Sequence, residues 1–111
     1  MKFLTSGSAG PFLALAGMVG RDEQGGPVAG LLPQTVRALE RIESVLAEHD
    51  LDRSHVIRLR IYLVDVSDWP SVLEVLTEWF GPTLPAATVI GNVTLVEPWM
   101  LIEIDTDAVR T

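Results

Sequence analysis

From position 33 onward the apolar residues return every three or four places. Val36, Leu39, Ile42, Val45 and Leu46 carry that stripe, and Arg37, Glu40, Arg41, Glu43 and Glu48 fill the positions between them. The period predicts an amphipathic helix of about four turns that ends near His49 and Asp50. At 55–65, "HVIRLRIYLVD", the period drops to two. Ile57, Leu59, Ile61 and Leu63 share one face of a predicted strand, and Arg58, Arg60 and Tyr62 share the other. A second helix is predicted over 67–81: Ser67 or Asp68 caps it, Pro70 sits in its first turn, and Gly81 stops it. Its apolar face is Val72, Val75, Leu76 and Trp79.

Three more stretches read as strands. "PFLALAGMVG" (11–20) is short, apolar and closed by glycine, while "ATVIGNV" (87–93) and "WMLIEIDTDAV" (99–109) flank a loop around Glu97 and Pro98. The Gly- and Pro-rich segment 21–30 is a loop. The order is β-loop-α-β-α-β-β, with a short extra strand expected at 2–6. Such an order predicts an α+β fold, a two-layer sandwich with two helices on one face of a mixed sheet. If the apolar face of strand 55–65 meets the helices, its Arg58, Arg60 and Tyr62 face is left to solvent or to another subunit.

Length and charge narrow this picture. The 111 residues are expected to form a single domain, 1–111, with a small but real core. With 48% apolar and 21% charged residues, the chain is globular in composition. No cysteine is present, which excludes disulfides, thiolate nucleophiles and cysteine metal sites and favours a cytoplasmic protein. A net charge of -7 makes nucleic acid and anionic membrane surfaces poor partners. The apolar N-terminal stretch is interrupted by Ser-Gly-Ser-Ala-Gly-Pro, and no run approaches the roughly twenty apolar residues that a span needs.

Little of the usual catalytic vocabulary is present. There is no GxxxxGK[ST] loop, no GxGxxG after a strand and no GxSxG around any serine. His49 and His55 lie at a helix end and a strand start without a second ligand at metal-binding spacing, so neither metal nor cofactor is expected. Glu103 is different, because it interrupts an otherwise apolar strand. Leu101, Glu103 and Asp105 share one face, and Ile102 and Ile104 the other. Two readings stay open at this point. Either the face is simply solvated, or Glu103 is a half-buried cleft carboxylate whose raised pKa suits proton transfer.

Taken together, several strings resemble the RidA/YjgF family, also called the Rid or liver perchloric-acid-soluble protein family. "FLALAGMVG" is similar to its apolar strand ending in Ser-Gly-Gln, and "LLPQTVRALERIESVLAEHDL" to its Gln-Thr-x-x-Ala-Leu-x-Asn-Ile helix and following turn. "HVIRLRIYLVDVSDWPSVLEVLTEWF" resembles its strand, Asp and aromatic helix, "LPAATVIGNV" its Pro-Ala-Arg-Ser/Thr-x-Val segment, and "LIEIDTDAV" its closing Val-Glu-Ile-Glu strand. The similarity runs over nearly the whole chain. It implies a Rid-like (chorismate-mutase-like) sandwich assembled as a homotrimeric barrel, with small acids bound in three inter-subunit clefts. For the family's best-known members it implies hydrolysis of reactive enamines and imines such as 2-aminoacrylate. There an arginine grips the substrate carboxylate, and a glutamate on the last strand handles water.

On that resemblance Glu103 matches the glutamate and Gly17 the cleft glycine, whereas the polar positions do not match. Ala87 stands where the arginine belongs, Met18 where the glutamine does, Leu73 where the helix asparagine does, and Phe3 where a tyrosine does. A charge-assisted hydrogen bond contributes about 1.5–3 kcal/mol, so losing a bidentate arginine weakens carboxylate binding by roughly tens- to thousands-fold. The expected cleft is thus apolar, lined by Phe3, Met18, Leu73, Ala87, Val89 and Trp99 around the Glu103 carboxylate. It suits a small ligand without a free carboxylate, and Glu103 would be the acid or base in hydrolase/deaminase-like or isomerase/lyase-type chemistry. Two alternatives stand beside this: a residual 2-aminoacrylate-type deaminase using Arg58, Arg60 or Arg110 as substitute cation, and a non-catalytic trimer binding a small ligand or partner. The ribonuclease label attached to the family finds no basic aromatic patch here.

Overall fold

The computed structural model describes residues 4–111. Five strands, β1 (Ser6–Ala9), β2 (Phe12–Met18), β3 (Val56–Leu63), β4 (Ala86–Ile90) and β5 (Ile102–Val109), form one sheet in the order β1-β2-β5-β3-β4. All neighbours are antiparallel except β3 and β4, which run parallel because α2 (Trp69–Phe80) carries the chain across between them. The other helix, α1 (Leu31–Glu48), packs on β2 and β5 and beside α2. Both helices therefore cover the same face, and the mixed-sheet sandwich expected from the element order is the observed fold.

Helix boundaries follow local chemistry. Gly30, at φ 93°, begins α1, which starts two residues before Pro33. Asp50 adopts a left-handed conformation (φ 58°) just past the helix end, where its backbone N–H and that of Leu51 cap the last carbonyls. The extra strand lies at Ser6–Ala9, later than the expected 2–6, because Gly10 (φ 57°) turns the chain back onto β2. Residues 2 and 3 of that expected strand fall outside the described residues. The last strand starts at Ile102, not at 99. Gln34, buried in α1, donates to the Trp99 carbonyl and accepts from the Leu101 N–H, so a side chain takes the place of a ladder there.

The core lies between the sheet and the helices. Leu13, Leu15, Leu59, Ile61, Leu63, Ile102 and Ile104 meet Leu39, Ile42 and Leu46 of α1 and Val72 and Leu76 of α2. Each such side chain contributes about 1.5–3 kcal/mol by leaving water. Two expected core residues lie elsewhere. Ile57 is 49% exposed, because a β-bulge between Val56 and Arg58 hands its core position to Val56. Val36 is also exposed, since the buried stripe of α1 runs through Thr35 and Ala38 instead.

Candidate functional site

The site begins at a second bulge. Leu13 and Leu15 of β2 face the core, so strict alternation would put Met18 with Ala14 and Ala16 on the opposite, open face. The pairing with β5 slips between Leu15 and Met18, which leaves Ala16 and Gly17 consecutively outside and turns Met18 inward. Met18 is accordingly a core residue, 2% exposed, and not a wall of a cleft on the open face. Gly17 takes that outward position.

On β5 the alternation is regular: Ile102, Ile104, Thr106 and Ala108 are buried, while Glu103, Asp105, Asp107 and Val109 are half-buried on the open face. Glu103 and Gly17 meet there. A Cβ on Gly17 would lie 2.7 Å from the Glu103 Cδ and 2.9 Å from its Oε2, so only glycine leaves room for the carboxyl group. Glu103 has no hydrogen-bond or ion-pair partner among the described residues. Burial pushes its pKa up, and the negative charge of Asp105 adds to the effect.

Next to it the open face carries a connected polar network. The Arg60 Nε lies 2.8 Å from Asp105 Oδ1, and its Nη1 lies 3.6 Å from Asp107. The Tyr62 hydroxyl donates to Asp105 Oδ2 at 2.8 Å. Tyr62 is also the cross-strand partner of Glu103. Sequence reasoning missed this cluster, although the alternating basic and acidic positions of β3 and β5 held the signal.

The apolar positions lie on the other side of the sheet. Ala87 pairs with Leu59 and Val89 with Ile61, both core residues, so these two edge-strand side chains are on the helix-covered face. Val89 packs against the core, while Ala87 is exposed at the sheet edge. Leu73 is 40% exposed on α2. A groove of about 360 Å³ opens between the helices where Val75 and Trp79 face Val36. Helical spacing puts Leu73 on the opposite flank of α2, away from α1. Phe3 lies outside the described residues. Trp99 is held against Arg21 and Glu97, with its Nε1 donating to Glu97 Oε2 at 3.2 Å. The described residues thus place Gly17 and Glu103 together and leave Leu73, Ala87 and Val89 across the sheet from them.

The candidate substitute cations are also distributed. Arg60 is engaged by Asp105 and Asp107, and Arg110 donates to the His49 carbonyl. Arg58 is exposed and makes no ion pair among the described residues, although it lies in register between Ala86 of β4 and the acidic Asp107 of β5. Among the described residues no group of three or more metal-ligating side chains comes together, and no helix is long and apolar enough to cross a membrane.

Comparison with known proteins adds identity to this geometry. The family model described as Endoribonuclease L-PSP matches residues 3–110. The chain belongs to the RidA/YjgF family. It is 32% identical over 104 residues to the RutC family protein PH0854 of Pyrococcus horikoshii, covering 92% of this chain and 82% of that protein. The crystal structure of Rv2704, a YjgF/YER057c/UK114 family member from Mycobacterium tuberculosis, superposes with a TM-score of 0.85 at 32% identity, covering 95% of this chain and 84% of that one. RidA from an Antarctic Psychrobacter has the same fold, with a TM-score of 0.91 at 19% identity over 98% of this chain and 89% of that one.

Proposed function

We propose that this RidA/YjgF-family chain binds or processes a small metabolite lacking a free carboxylate, in a cleft completed by a second copy of the chain, with Glu103 as the acid–base group. Glu103 itself carries this reading. A half-buried carboxyl group pressed onto a glycine backbone, with no partner among the described residues, costs stability, and groups kept at such a cost cluster at functional sites. Ala87, Val89 and Leu73 are apolar and supply no cation, which disfavours a carboxylate-bearing substrate. Because Ala87 and Val89 lie across the sheet from Glu103, this reading needs more than a single chain to close the cleft. The homotrimer implied by the family resemblance would supply the missing wall from a neighbour.

A residual deaminase is the second reading, favoured by one observation: Arg58 makes no ion pair among the described residues and lies on the open face of the sheet, the face that carries Glu103. Ammonia release from 2-aminoacrylate generated in situ separates the two. For the neutral-ligand reading the wild type is silent and Ala87→Arg gains turnover. Wild-type activity that disappears in both Glu103→Ala and Arg58→Gln would establish the deaminase instead. Light scattering on the same samples should give three chains per particle, and a monomer that still turns over substrate would refute the shared cleft.

A further inference from the structure

We propose that Asp105 is a positioning residue for Glu103, and that Arg60 and Tyr62 form the clamp that holds it in place. This deepens the reading of Glu103 as an acid–base group and rests on it. The two carboxylates share a strand face two residues apart, about 6.6–6.8 Å along the strand. Asp105 is not free to turn away. The Arg60 guanidinium lies in ion-pair contact with one oxygen, the Tyr62 hydroxyl donates to the other, and the side chain keeps only 18% of its surface exposed.

An ordinary cross-strand ion pair would need one acid and one base. Here Arg60 faces two acids, Asp105 and Asp107, so its positive charge is divided. The Arg60–Asp105 contact is close but lacks hydrogen-bond alignment, which leaves Oδ1 buried without a true donor. Asp105 therefore remains a net negative neighbour to Glu103. Tyr62 neighbours both groups: its hydroxyl donates to Asp105, and it is the cross-strand partner of Glu103 on β3.

Among the described residues, the charged or titratable groups on Glu103's face of β5 and β3 are Asp105 and Asp107 on its own strand and Tyr62, Arg60 and Arg58 on β3, while β2 presents Ala16 and Gly17. The Tyr62 hydroxyl is itself held in its neutral, donating form, chiefly by the hydrogen bond to Asp105. A fixed negative charge beside a half-buried carboxyl group favours its protonated state. Asp105 thus keeps Glu103 a proton donor to higher pH than an ordinary glutamate, the direction that general-acid chemistry favours.

The test is a pH titration of the Glu103 side-chain carboxyl resonance in the full, carbon-13-labelled protein. In Asp105→Asn the midpoint moves down, and in Asp105→Glu it returns toward the wild-type value. In Arg60→Gln the midpoint moves up, because less of the Asp105 charge is offset. These opposite signs cannot come from general loosening of the sheet, and the Arg60 variant keeps the test alive if Asp105→Asn fails to fold. An unmoved midpoint in a folded Asp105→Asn, or a downward shift in Arg60→Gln, overturns the proposal. No substrate enters the measurement, so its failure is distinct from a finding that Glu103→Gln leaves turnover intact.

Discussion

The two faces of β5 differ more than any two elements of the fold. On the helix side Ile102, Ile104 and Ala108 are sealed against α1 and the other strands. One residue away in each case, Glu103, Asp105 and Asp107 face a surface shared with Arg60 and Tyr62. A two-residue period keeps these chemistries about 10 Å or less apart without mixing them. The lesson is a division of labour. Substitutions on the covered face should register as stability, and those on the open face as charge and proton affinity.

The sharpest way to break that division is to attack the covered face. Leu59→Ala removes a fully buried side chain in the central strand pair and should cost about 2–5 kcal/mol. Urea unfolding monitored by circular dichroism measures it, and a loss within experimental error would show that the helices do not seal this face. Gly17→Ala comes next and tests the boundary between the faces. The new methyl group overlaps the Glu103 side chain, so either the bulge or the carboxyl group moves, at a cost of about 1–3 kcal/mol. If a structure of this variant shows Glu103 unmoved and the stability unchanged, the proposed glycine–carboxyl contact is not what fixes the site.

A substitution of opposite sign sharpens the comparison. Thr106 lies on the covered face, and its buried hydroxyl has no hydrogen-bond partner among the described residues. Thr106→Val keeps the shape and removes the unsatisfied group, so the variant should gain about 1 kcal/mol. A loss of stability would mean that the hydroxyl finds a partner, such as an ordered water, on the covered side.

Much of this division was legible in the sequence. The alternation in 99–109 separated Glu103 and Asp105 from Ile102 and Ile104, and the helix periods found Leu39, Ile42, Val45, Leu46, Val72 and Leu76 but not Thr35, Ala38 or Phe80. Ile57, assigned by alternation, and Met18, placed in the cleft by the family resemblance, both lie elsewhere in the structure, and one local feature explains each. Each lies at a bulge, and a single extra residue reverses which face the following side chains occupy. Hydrophobicity offers no warning of this, since Met and Ile suit either side. Gln34 was invisible for a different reason: a polar residue inside a helical stripe reads as surface until its two backbone partners are known. The cleft was the least legible element, because alignment order gives no indication that Ala87 and Glu103 lie on opposite faces.

The smallest expected effect is also the most specific to the open face. Because burial and Asp105 raise the Glu103 pKa in the folded chain, the native state holds its proton at pH values where the unfolded chain has released it. Stability attributable to this group therefore falls as pH rises from the ordinary glutamate range through the raised native value. Below that window the penalty is absent, and above it the penalty is complete. Asp52 and Asp65 act in the opposite direction: hydrogen bonds from Ser54 and Ser67 hold their carboxyl groups below the usual range, so their contribution is lost as pH falls. Both aspartates are common to the wild type and Glu103→Gln and cancel in the difference between the two. That difference should favour the glutamine variant near neutrality and shrink on acidification, in melting curves taken from pH 3 to 7. A difference that stays flat across this range would mean that Glu103 titrates as a solvated surface carboxylate, and the open face would then carry no acid–base site.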